Sequence, residues 1–376
     1  MKVDFFRHTL GEAELASVAE TLSSMFLTTG PRTAQFERRF AESLGVAHCV
    51  GVSSWTMGNL ITLKALNIGP GDEVITTPLT FVATANTVLQ CGATLVLADV
   101  EPECGTLDPA RVEAAITPRT RAIIPVHLYG QMCDMVTLRA LAARHGLAMI
   151  EDAAHSIEGS RDGLKPGQAS SAAIFSFYAT KTMTCGEGGA IVTNDEALYQ
   201  RLLRLRLHGM NKSAADRYHG LYQHWDVDEL GWKCNMNDLQ AALLLPQLAR
   251  LDQARDRRAA IAARYVAGLS GVEGVAWPKV RRNGVHAHHL FTIWVDPERR
   301  DTVLHRLQQA GIGVAVNFRA LHLLRYYRER LGYRRGQYPE AERIGDATIS
   351  LPFHPGLSDA EVDTVVEQVR LAVDQA

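Results

Sequence analysis

The segment FSFYATKTMTCGEGG, residues 175–189, is the most informative stretch of the chain. An apolar strand pattern ends at Ser176, Lys181 follows five residues later, and a glycine cluster leads into a second apolar run. A lone lysine after a strand is usually a solvated surface residue, and the glycines then form only a turn. The functional alternative is an amine that forms a Schiff base with an aldehyde cofactor, once burial or a nearby charge lowers its pKa. Glycines at 186, 188 and 189 would let the backbone pass close to that cofactor.

A second informative segment lies upstream, where the strand predicted at residues 147–151 ends. Asp152 follows this strand and His155 stands three residues later. Asp152 is either a helix N-cap or a carboxylate at the strand end where open α/β sheets bind ligands. In the second case it would keep a pyridine nitrogen protonated and make the ring an electron sink. His155 is then placed to reach a ring oxygen, whereas taken alone it is more simply a packed or surface histidine.

Short apolar runs alternate with helical patterns from about residue 50 to residue 235. This rhythm predicts an α/β fold with a mainly parallel central sheet and helices on both faces. The predicted strands are residues 73–77, 94–98, 122–127, 147–151, 172–177 and 190–193, and the intervening helices are 80–91, 108–116 and 134–145.

The C-terminal part has a different pattern. A long helix is predicted from Asn237 to Leu269, with Asn237 or Asp238 as N-cap and with Pro246 kinking or splitting it. Beyond it, strands at 289–295 and 314–318 and helices at 300–309 and 359–374 predict a small α+β domain. We therefore expect a large domain over residues 1–235 that includes the N-terminal helices, a bridging helix over 236–270, and a small domain over 271–376.

The composition is that of an ordinary folded protein, with 47% apolar and 21% charged residues. The 376 residues carry 39 Lys and Arg against 41 Asp and Glu, which gives a formal net charge of −2. This balance argues against nucleic-acid and membrane-surface proteins. No apolar run of about 18 residues and no leader-like N-terminus occurs, so we expect no membrane association.

The six cysteines stand far apart, without a CxxC pair or zinc-finger spacing, so we expect free thiols in a reducing cytoplasm and no metal site. The sequence contains neither a GxxxxGK[ST] loop nor an HExxH motif. Its nearest approach to a dinucleotide fingerprint, Gly69-Pro70-Gly71, lacks the third glycine and precedes a strand, which disfavours nicotinamide chemistry.

Taken in order, these segments resemble the DegT/DnrJ/EryC1/StrS family of pyridoxal-phosphate-dependent sugar aminotransferases. That family belongs to the fold-type I, aspartate-aminotransferase-like class, which has a large cofactor domain and a small C-terminal domain. The resemblance covers almost the whole chain. Its matching segments are residues 27–31, 52–57, 69–75, 80–86, 125–130, 152–155, 176–189, 231–242 and 349–352.

The resemblance implies that Lys181 holds pyridoxal 5'-phosphate as an internal aldimine and then acts as the general base. It also implies that Asp152 pairs with the pyridinium nitrogen, that His155 lies near the ring hydroxyl and that Phe81 stacks on the pyridine face. A branch of the family that dehydrates sugars has histidine at the lysine position. The presence of Lys181 therefore favours transamination.

The resemblance also assigns the cofactor phosphate. Backbone amides of Thr56 and Met57 at a helix N-terminus, together with Ser176, are expected to hold it, because unpaired N–H groups and the helix dipole favour an anion. A group from the neighbouring subunit completes this site in the family, with Lys233 or Asn235 as the candidate here. The active unit is then a homodimer with shared active sites.

The chain departs from the usual family pattern at four positions. Trp55 and Met57 are bulkier than the residues common there, and Trp232 and Cys234 replace tyrosines. These changes either reshape the cofactor or substrate pocket or are neutral variations in packing.

The substrates implied by the resemblance are glutamate as amino donor and a nucleotide-diphosphate keto sugar as acceptor. Residues 317–330 look most like the branch acting at C4 of a 4-keto-6-deoxyhexose or 4-keto-pentose, and Arg319 and His322 are the candidate substrate contacts. A solvated basic helix is the alternative for the arginines of this stretch. Two other functions stay open: a cyclitol aminotransferase acting on a ring ketone without a nucleotide, and a non-catalytic pyridoxal-phosphate-binding regulator.

Overall fold

The computed structural model describes residues 1–212 and 224–376, and within these ranges the core is a seven-stranded sheet. Its strands are β1 (His48–Val52), β2 (Glu73–Thr76), β3 (Thr94–Leu97), β4 (Thr120–Ile124), β5 (Ala148–Asp152), β7 (Ala172–Ser176) and β8 (Gly189–Thr193), and β6 (Ser160–Arg161) lies outside the sheet. The spatial order is β1-β8-β7-β5-β4-β2-β3. The five neighbouring strands β3, β2, β4, β5 and β7 pair in parallel. Strand β8 is antiparallel to both of its neighbours, β7 and β1.

Helices cover both faces of this sheet, as predicted. Alternate residues of β7 belong to different apolar clusters: Ile174 faces one cluster, and Ala173 and Phe175 face the other. Within residues 1–212 the helices are α1 (Glu12–Leu22), α2 (Pro31–Leu44), α3 (Trp55–Ala65), α4 (Val82–Gln90), α5 (Pro109–Ala115), α6 (Met135–His145) and α7 (Glu196–Leu205). Because both faces are covered, the strands read as continuous apolar runs.

The C-terminal part has its own apolar cluster and a two-stranded antiparallel sheet of β10 (Thr292–Trp294) and β11 (Thr348–Ser350). A second short pair joins β6 to β9 (Gly284–Val285). The helices of this part are α8 (Asp238–Leu248), α9 (Leu251–Leu269), α10 (Arg300–Gln309), α11 (Arg325–Leu331), α12 (Pro339–Ala347) and α13 (Asp359–Asp374). In the described parts of the chain, 3₁₀ turns lie at Leu128–Gly130 and Leu321–Leu323. None of the described helices is both long and apolar enough to cross a membrane.

One expectation for this part needs correction. The strand expected at 314–318 is reduced to a single bridge between Ala315 and Ser350, because from Asn317 the chain leaves the sheet to line a cavity. At the N-terminus, Val3 belongs to the C-terminal apolar cluster and pairs with Ile312. The division of the chain into domains stays a prediction.

The long helix predicted from residue 237 is split, but not at Pro246. Helix α8 runs through Pro246 to Leu248, and the break falls at residues 249–250 before α9. The missing proline N–H weakens the last turn, and the helix ends two residues later, at Leu248. Asn237 is the N-cap: its side chain accepts from the Gln240 amide at 2.9 Å, and the Gln240 side chain accepts from the Asn237 amide.

Asp238, the first residue of α8, caps the start of α2 from across the fold. Its side chain is buried, and the carboxylate accepts from the amides of Gly30, Arg32 and Thr33 at 2.9, 3.1 and 2.9 Å and from the Thr33 hydroxyl at 2.7 Å. A carboxylate at this end of a helix satisfies free amides and matches the helix dipole. This contact joins the N-terminal helices to the segment that follows the large sheet.

We expect Asp238→Ala to destabilise the protein by about 3 kcal/mol, because it leaves several buried amides without an acceptor. The measurement is urea unfolding followed by circular dichroism. Glu367→Ala, at an exposed position of α13, is the control and should change stability by less than about 0.5 kcal/mol. An Asp238→Ala chain as stable as this control would contradict the capping role.

Candidate active site

A cavity of about 520 Å³ opens at the carboxyl ends of β5 and β7. These strands are parallel neighbours, so the residues that end them, Asp152 and Ser176, meet at one edge of the sheet. The cavity brings together six residues predicted from the sequence, namely Thr56, Phe81, Asp152, His155, Ser176 and Lys181.

Asp152 is a buried carboxylate with two protein donors among the described residues. The Thr84 hydroxyl donates to Oδ2 at 2.9 Å, and the Ala154 amide donates to Oδ1 at 3.2 Å. Burial raises the pKa of Asp152, while these two bonds and the charge of Lys181 oppose the rise. The N-cap alternative does not describe this residue, because no helix begins here.

Lys181 stands in the loop between β7 and β8. Its amide donates to the carbonyl of Tyr178 at 2.9 Å, which fixes the turn that carries the side chain. Burial lowers the pKa of the Lys181 amine from 10.5 to about 8, and the Asp152 carboxylate limits the fall. An amine desolvated in this way is nucleophilic near neutral pH, unlike that of a solvated surface lysine.

His155 is held as a neutral ring. Its Nδ1 accepts from the Tyr129 amide at 3.3 Å, and burial holds the pKa of the ring well below its usual range. The proton of the neutral imidazole therefore lies on Nε2. The ring packs against His289, at 4.2 Å between centroids, and Phe318, at 6.1 Å.

Glycine at 189 allows the start of α3 to approach Ser176. Gly189 is the register partner of Ser176 on β8, and a Cβ there would lie 2.7 Å from the Ser54 carbonyl carbon and 2.8 Å from the Trp55 nitrogen. The first turn of α3 and the Ser176 hydroxyl therefore converge. The sequence predicted that the glycines let the backbone pass close to a cofactor. At Gly189 the backbone passes close to the backbone at the start of α3.

Thr56 and Met57, whose amides were expected to hold the cofactor phosphate, lie in the first turn of α3. Thr56 lines the cavity, whereas the Met57 amide already donates to the N-cap hydroxyl of Ser54 at 3.1 Å. Trp55 is buried, and its indole N–H donates to the Ile174 carbonyl at 3.1 Å. The bulky Trp55 thus anchors the helix to the sheet while lining the cavity.

The aromatic residue Phe81 is 59% exposed although it lines the cavity. Its ring lies 6.1 Å from that of Phe318. A large exposed ring beside a cavity is available to stack on a planar ligand.

Lys233 and Asn235 do not line the cavity of their own chain. The Asn235 side-chain Nδ2 donates to the Thr29 hydroxyl at 2.6 Å, and the exposed Lys233 amine donates to the Asn235 side-chain Oδ1. The backbone of this segment runs beside the strand before α3, where the Ser53 amide donates to the Cys234 carbonyl at 2.7 Å.

The two residues proposed for substrate contact are not brought into the cavity. His322 is fully buried, with its Nε2 2.9 Å from Glu342 Oε1, and its contact with substrate stays a prediction. Arg319 is exposed and lies outside the lining, although its neighbours Asn317 and Phe318 are in it. The remaining arginines belong to α11, where Arg325 pairs with Glu329, as in a solvated basic helix.

Several cavity residues were not singled out from the sequence. Thr80 and Thr84 stand four residues apart around the start of α4, a spacing that was visible in the chain. His289 belongs to a run with three histidines in four residues, which was also a visible signal. Phe5 and Phe6 reach the cavity from the N-terminus, and no local pattern predicts this contact.

Comparison with known proteins gives the family. The profile of the DegT/DnrJ/EryC1/StrS aminotransferase family matches residues 8–370. The chain belongs to this family. Spore coat polysaccharide biosynthesis protein SpsC of Bacillus subtilis (strain 168) is 44% identical over 368 residues, covering 96% of this chain and 94% of SpsC.

Two solved structures share the whole fold of this aminotransferase. S. venezuelae DesV, solved in complex with a ketimine intermediate, has a TM-score of 0.89 at 38% identity and covers 96% of this chain and 95% of its own. The PLP-form of Streptococcus pneumoniae Spr1654 has a TM-score of 0.93 at 30% identity, covering 100% and 99%. These findings confirm the predicted fold-type I class, the sugar aminotransferase family and its cofactor, pyridoxal phosphate.

The cavity of this aminotransferase fits pyridoxal phosphate by its donor set. It offers an amine at Lys181, a buried carboxylate at Asp152 for a protonated ring nitrogen, and hydroxyl and first-turn amide donors at Ser176 and Thr56. The exposed ring of Phe81 supplies an aromatic wall. The volume of about 520 Å³ lies within the usual range for cofactor sites.

We expect the Lys181 amine of the cofactor-free protein to titrate near pH 8, because burial outweighs the opposing Asp152 charge. Below that pH the amine is mainly protonated, and above it mainly neutral and reactive. Acylation at a series of pH values, with the Lys181 peptide quantified by mass spectrometry, measures the midpoint. The denatured chain is the reference and should titrate near the ordinary value of about 10.4.

Asp152→Asn should lower the midpoint of the folded protein further, since the carboxylate raises the pKa of the amine. A folded midpoint equal to that of the denatured chain would show that Lys181 is solvated.

Proposed function

We propose that this aminotransferase moves an amino group from glutamate to a ketone of a nucleotide-diphosphate sugar, at C4 of a 4-keto-6-deoxyhexose or 4-keto-pentose. The observation that carries the proposal is the convergence of the Lys181 amine and the Asp152 carboxylate in one cavity. SpsC is named for spore coat polysaccharide biosynthesis, which supports a sugar acceptor. A non-catalytic regulator that only binds the cofactor would not need the Asp152 carboxylate, whose proposed role is to make the ring an electron sink.

When bound, pyridoxal phosphate supplies an aldehyde that condenses with amines and a ring that accepts electrons. In this proposal the Lys181 amine binds the cofactor and, when released by substrate, takes a proton at Nζ from one carbon and returns it to another. A pKa of about 8 suits this exchange, since both protonation states are populated near neutral pH.

The other residues hold and orient the cofactor in this proposal. Asp152 keeps the ring nitrogen protonated, which makes the ring a stronger electron sink. His155 offers its Nε2 proton to the ring hydroxyl, and Phe81 covers one face of the ring. Ser176 and the amides of Thr56 and its neighbour Met57 bind the phosphate, provided that the Met57 amide exchanges its bond with Ser54 for the anion.

A homodimer with shared active sites would supply the charge that the cavity lacks. Among the described lining residues, Lys181 is the only Lys or Arg, while Asp152 and Glu187 are acidic. A cofactor phosphate and a sugar diphosphate both call for cations or strong donors. The exposed Lys233 and its neighbour Asn235, supplied by the partner subunit, are the proposed source.

The scarcity of cationic lining residues also supports the alternative function, a cyclitol aminotransferase. A ring ketone without a nucleotide needs no cationic groups at the entrance, and none of the described lining residues except Lys181 is cationic. If the substrate is a nucleotide sugar, Arg319 is a candidate to bind its diphosphate, because it follows the lining residue Phe318 directly in sequence. The cytoplasmic location stays a prediction.

We expect Lys181→Ala to lose transamination by at least about 10³-fold, together with the visible absorption of the lysine-bound cofactor that borohydride removes in the native enzyme. Lys165→Ala is the control, since Lys165 is exposed and bonds the Ser43 carbonyl away from the cavity. Full turnover by the Lys181→Ala enzyme would end the proposal.

The substrate is tested by a panel of nucleotide keto sugars and keto-inositols with glutamate as donor, with the position of the new amine determined by NMR. We expect turnover of 4-keto nucleotide sugars and amination at C4. Turnover of keto-inositols alone would favour the cyclitol alternative, and amination at C3 would contradict the regiochemistry.

Mixing Lys181→Ala with a Lys233→Ala/Asn235→Ala double variant tests the shared site. Each mixed dimer then has one complete site, so an equal mixture, with half its dimers mixed, should regain about a quarter of native activity. Subunit exchange is verified by mass spectrometry with differently tagged chains. Absence of recovery after complete exchange would place Lys233 and Asn235 outside the partner's site.

A further inference from the structure

Two threonines around the start of α4 form a chain of hydroxyls that ends at Asp152. Thr84 Oγ1 lies 2.9 Å from Asp152 Oδ2, and Thr80 Oγ1 lies 3.0 Å from Thr84 Oγ1. Both threonine side chains and the carboxylate are buried from solvent, and all three residues line the cavity. The chain therefore runs from the cavity wall to the carboxylate.

Which hydroxyl donates in each of these two hydrogen bonds follows from the number of protons available. An ionised carboxylate only accepts, so Thr84 must donate its one hydroxyl proton to Asp152. It then has no proton left for Thr80, and Thr80 must be the donor in the second bond. Each bond polarises the next, so the Thr80 hydroxyl strengthens the bond that Thr84 makes to Asp152.

The Thr84 bond matters because Asp152 has few donors. Within the described residues, Oδ1 is met by the Ala154 amide and Oδ2 by Thr84. Burial raises the pKa of Asp152, and the Thr84 bond is one of the contacts that oppose this rise. Without it, one oxygen of a desolvated carboxylate would have no protein donor.

Two other threonine hydroxyls of α3 and α4 donate to a different kind of acceptor. Thr87, on the same helix, donates to its own helix at the Ala83 carbonyl, 2.9 Å away, and Thr62 on α3 does so at the Gly58 carbonyl, 2.7 Å away. Such bonds stay within one helix. Thr84 instead directs its proton to another element, at the group proposed to hold the cofactor ring.

We propose that Thr84, supported by Thr80, is a positioning residue that orients the Asp152 carboxylate and keeps it ionised toward the cofactor ring nitrogen. This rests on the proposed function of Asp152. Its consequence is that cofactor affinity falls with acid at a pH set partly by the Thr84 hydroxyl. As the pKa of Asp152 rises, the carboxylate is neutralised at a higher pH and the acid limb of cofactor binding moves upward.

The test uses Thr84→Val, which removes the hydroxyl at nearly constant volume, and Thr84→Ser, which retains it. Thr80→Val removes only the supporting donor, and Thr62→Val is the matched control for a buried hydroxyl bonded within its helix. The readouts are the Kd for pyridoxal phosphate and the visible absorption of the bound cofactor, both as functions of pH.

We expect Thr84→Val to raise the Kd about tenfold near neutral pH and to move the acid limb up by about one pH unit. Thr80→Val should shift both in the same direction by less. Thr84→Ser should stay within about threefold of the native enzyme, and Thr62→Val should match it in both readouts.

Asp152→Asn separates this proposal from the function on which it rests. If Asp152→Asn leaves the Kd and the spectrum unchanged, the proposed role of Asp152 fails. If Asp152→Asn changes them but Thr84→Val behaves like Thr62→Val, the positioning role of Thr84 is overturned. Should Thr84→Val not fold, Thr84→Ala removes the same hydroxyl without added bulk, and an unshifted acid limb there overturns the proposal equally.

Discussion

Burial of the Asp152 carboxylate is the constraint on which the arrangement of the cavity depends. A desolvated carboxylate is costly unless hydrogen bonds and an opposite charge compensate for it. Here the compensation comes from three separate parts of the chain: the Thr84 hydroxyl on α4, the Ala154 amide after β5, and the Lys181 charge after β7. The parallel pairing of β5 and β7 is what lets them meet.

The same pairing accounts for Lys181. Its amine is desolvated by the walls that bury Asp152. Burial raises the pKa of Asp152 and lowers that of Lys181, and the charge of each group opposes the shift that burial causes in the other. An amine with a pKa of about 8 and a nearby carboxylate make a site suited to covalent chemistry on a carbonyl group. The antiparallel strand β8 returns the chain past Ser176 and, through Gly189, admits the start of α3.

A single chain supplies little positive charge to the cavity. Lys181 is the only Lys or Arg among the described residues that line the cavity, yet the cofactor and the proposed substrate are anions. Among the residues that the structure describes, the arginines of residues 319–330 lie outside the lining of the cavity. This shortfall is why a second subunit enters the proposed function.

Patterns of local origin were predictable from sequence. The helix at Asp359–Asp374 was predicted with its observed bounds, because apolar periodicity and the Ser358 cap are local properties. The α/β class, the strand ends that carry Asp152 and Ser176, and Lys181 followed from short segments in the same way. The burial of His322 was not predictable, because its partner Glu342 belongs to α12 and lies far from it in sequence.

The amino-acid sequence by itself determined the order of the elements, the fold class and the residue types of the site. Only the tertiary structure decided which side chains meet: the Thr84 bond to Asp152, the Asp238 cap on α2 and the placement of Phe5 in the cavity. The physical reason is range. Hydrophobic period and capping act over a few residues, whereas burial, carboxylate desolvation and the pKa of a lysine depend on atoms brought together from distant parts of the chain.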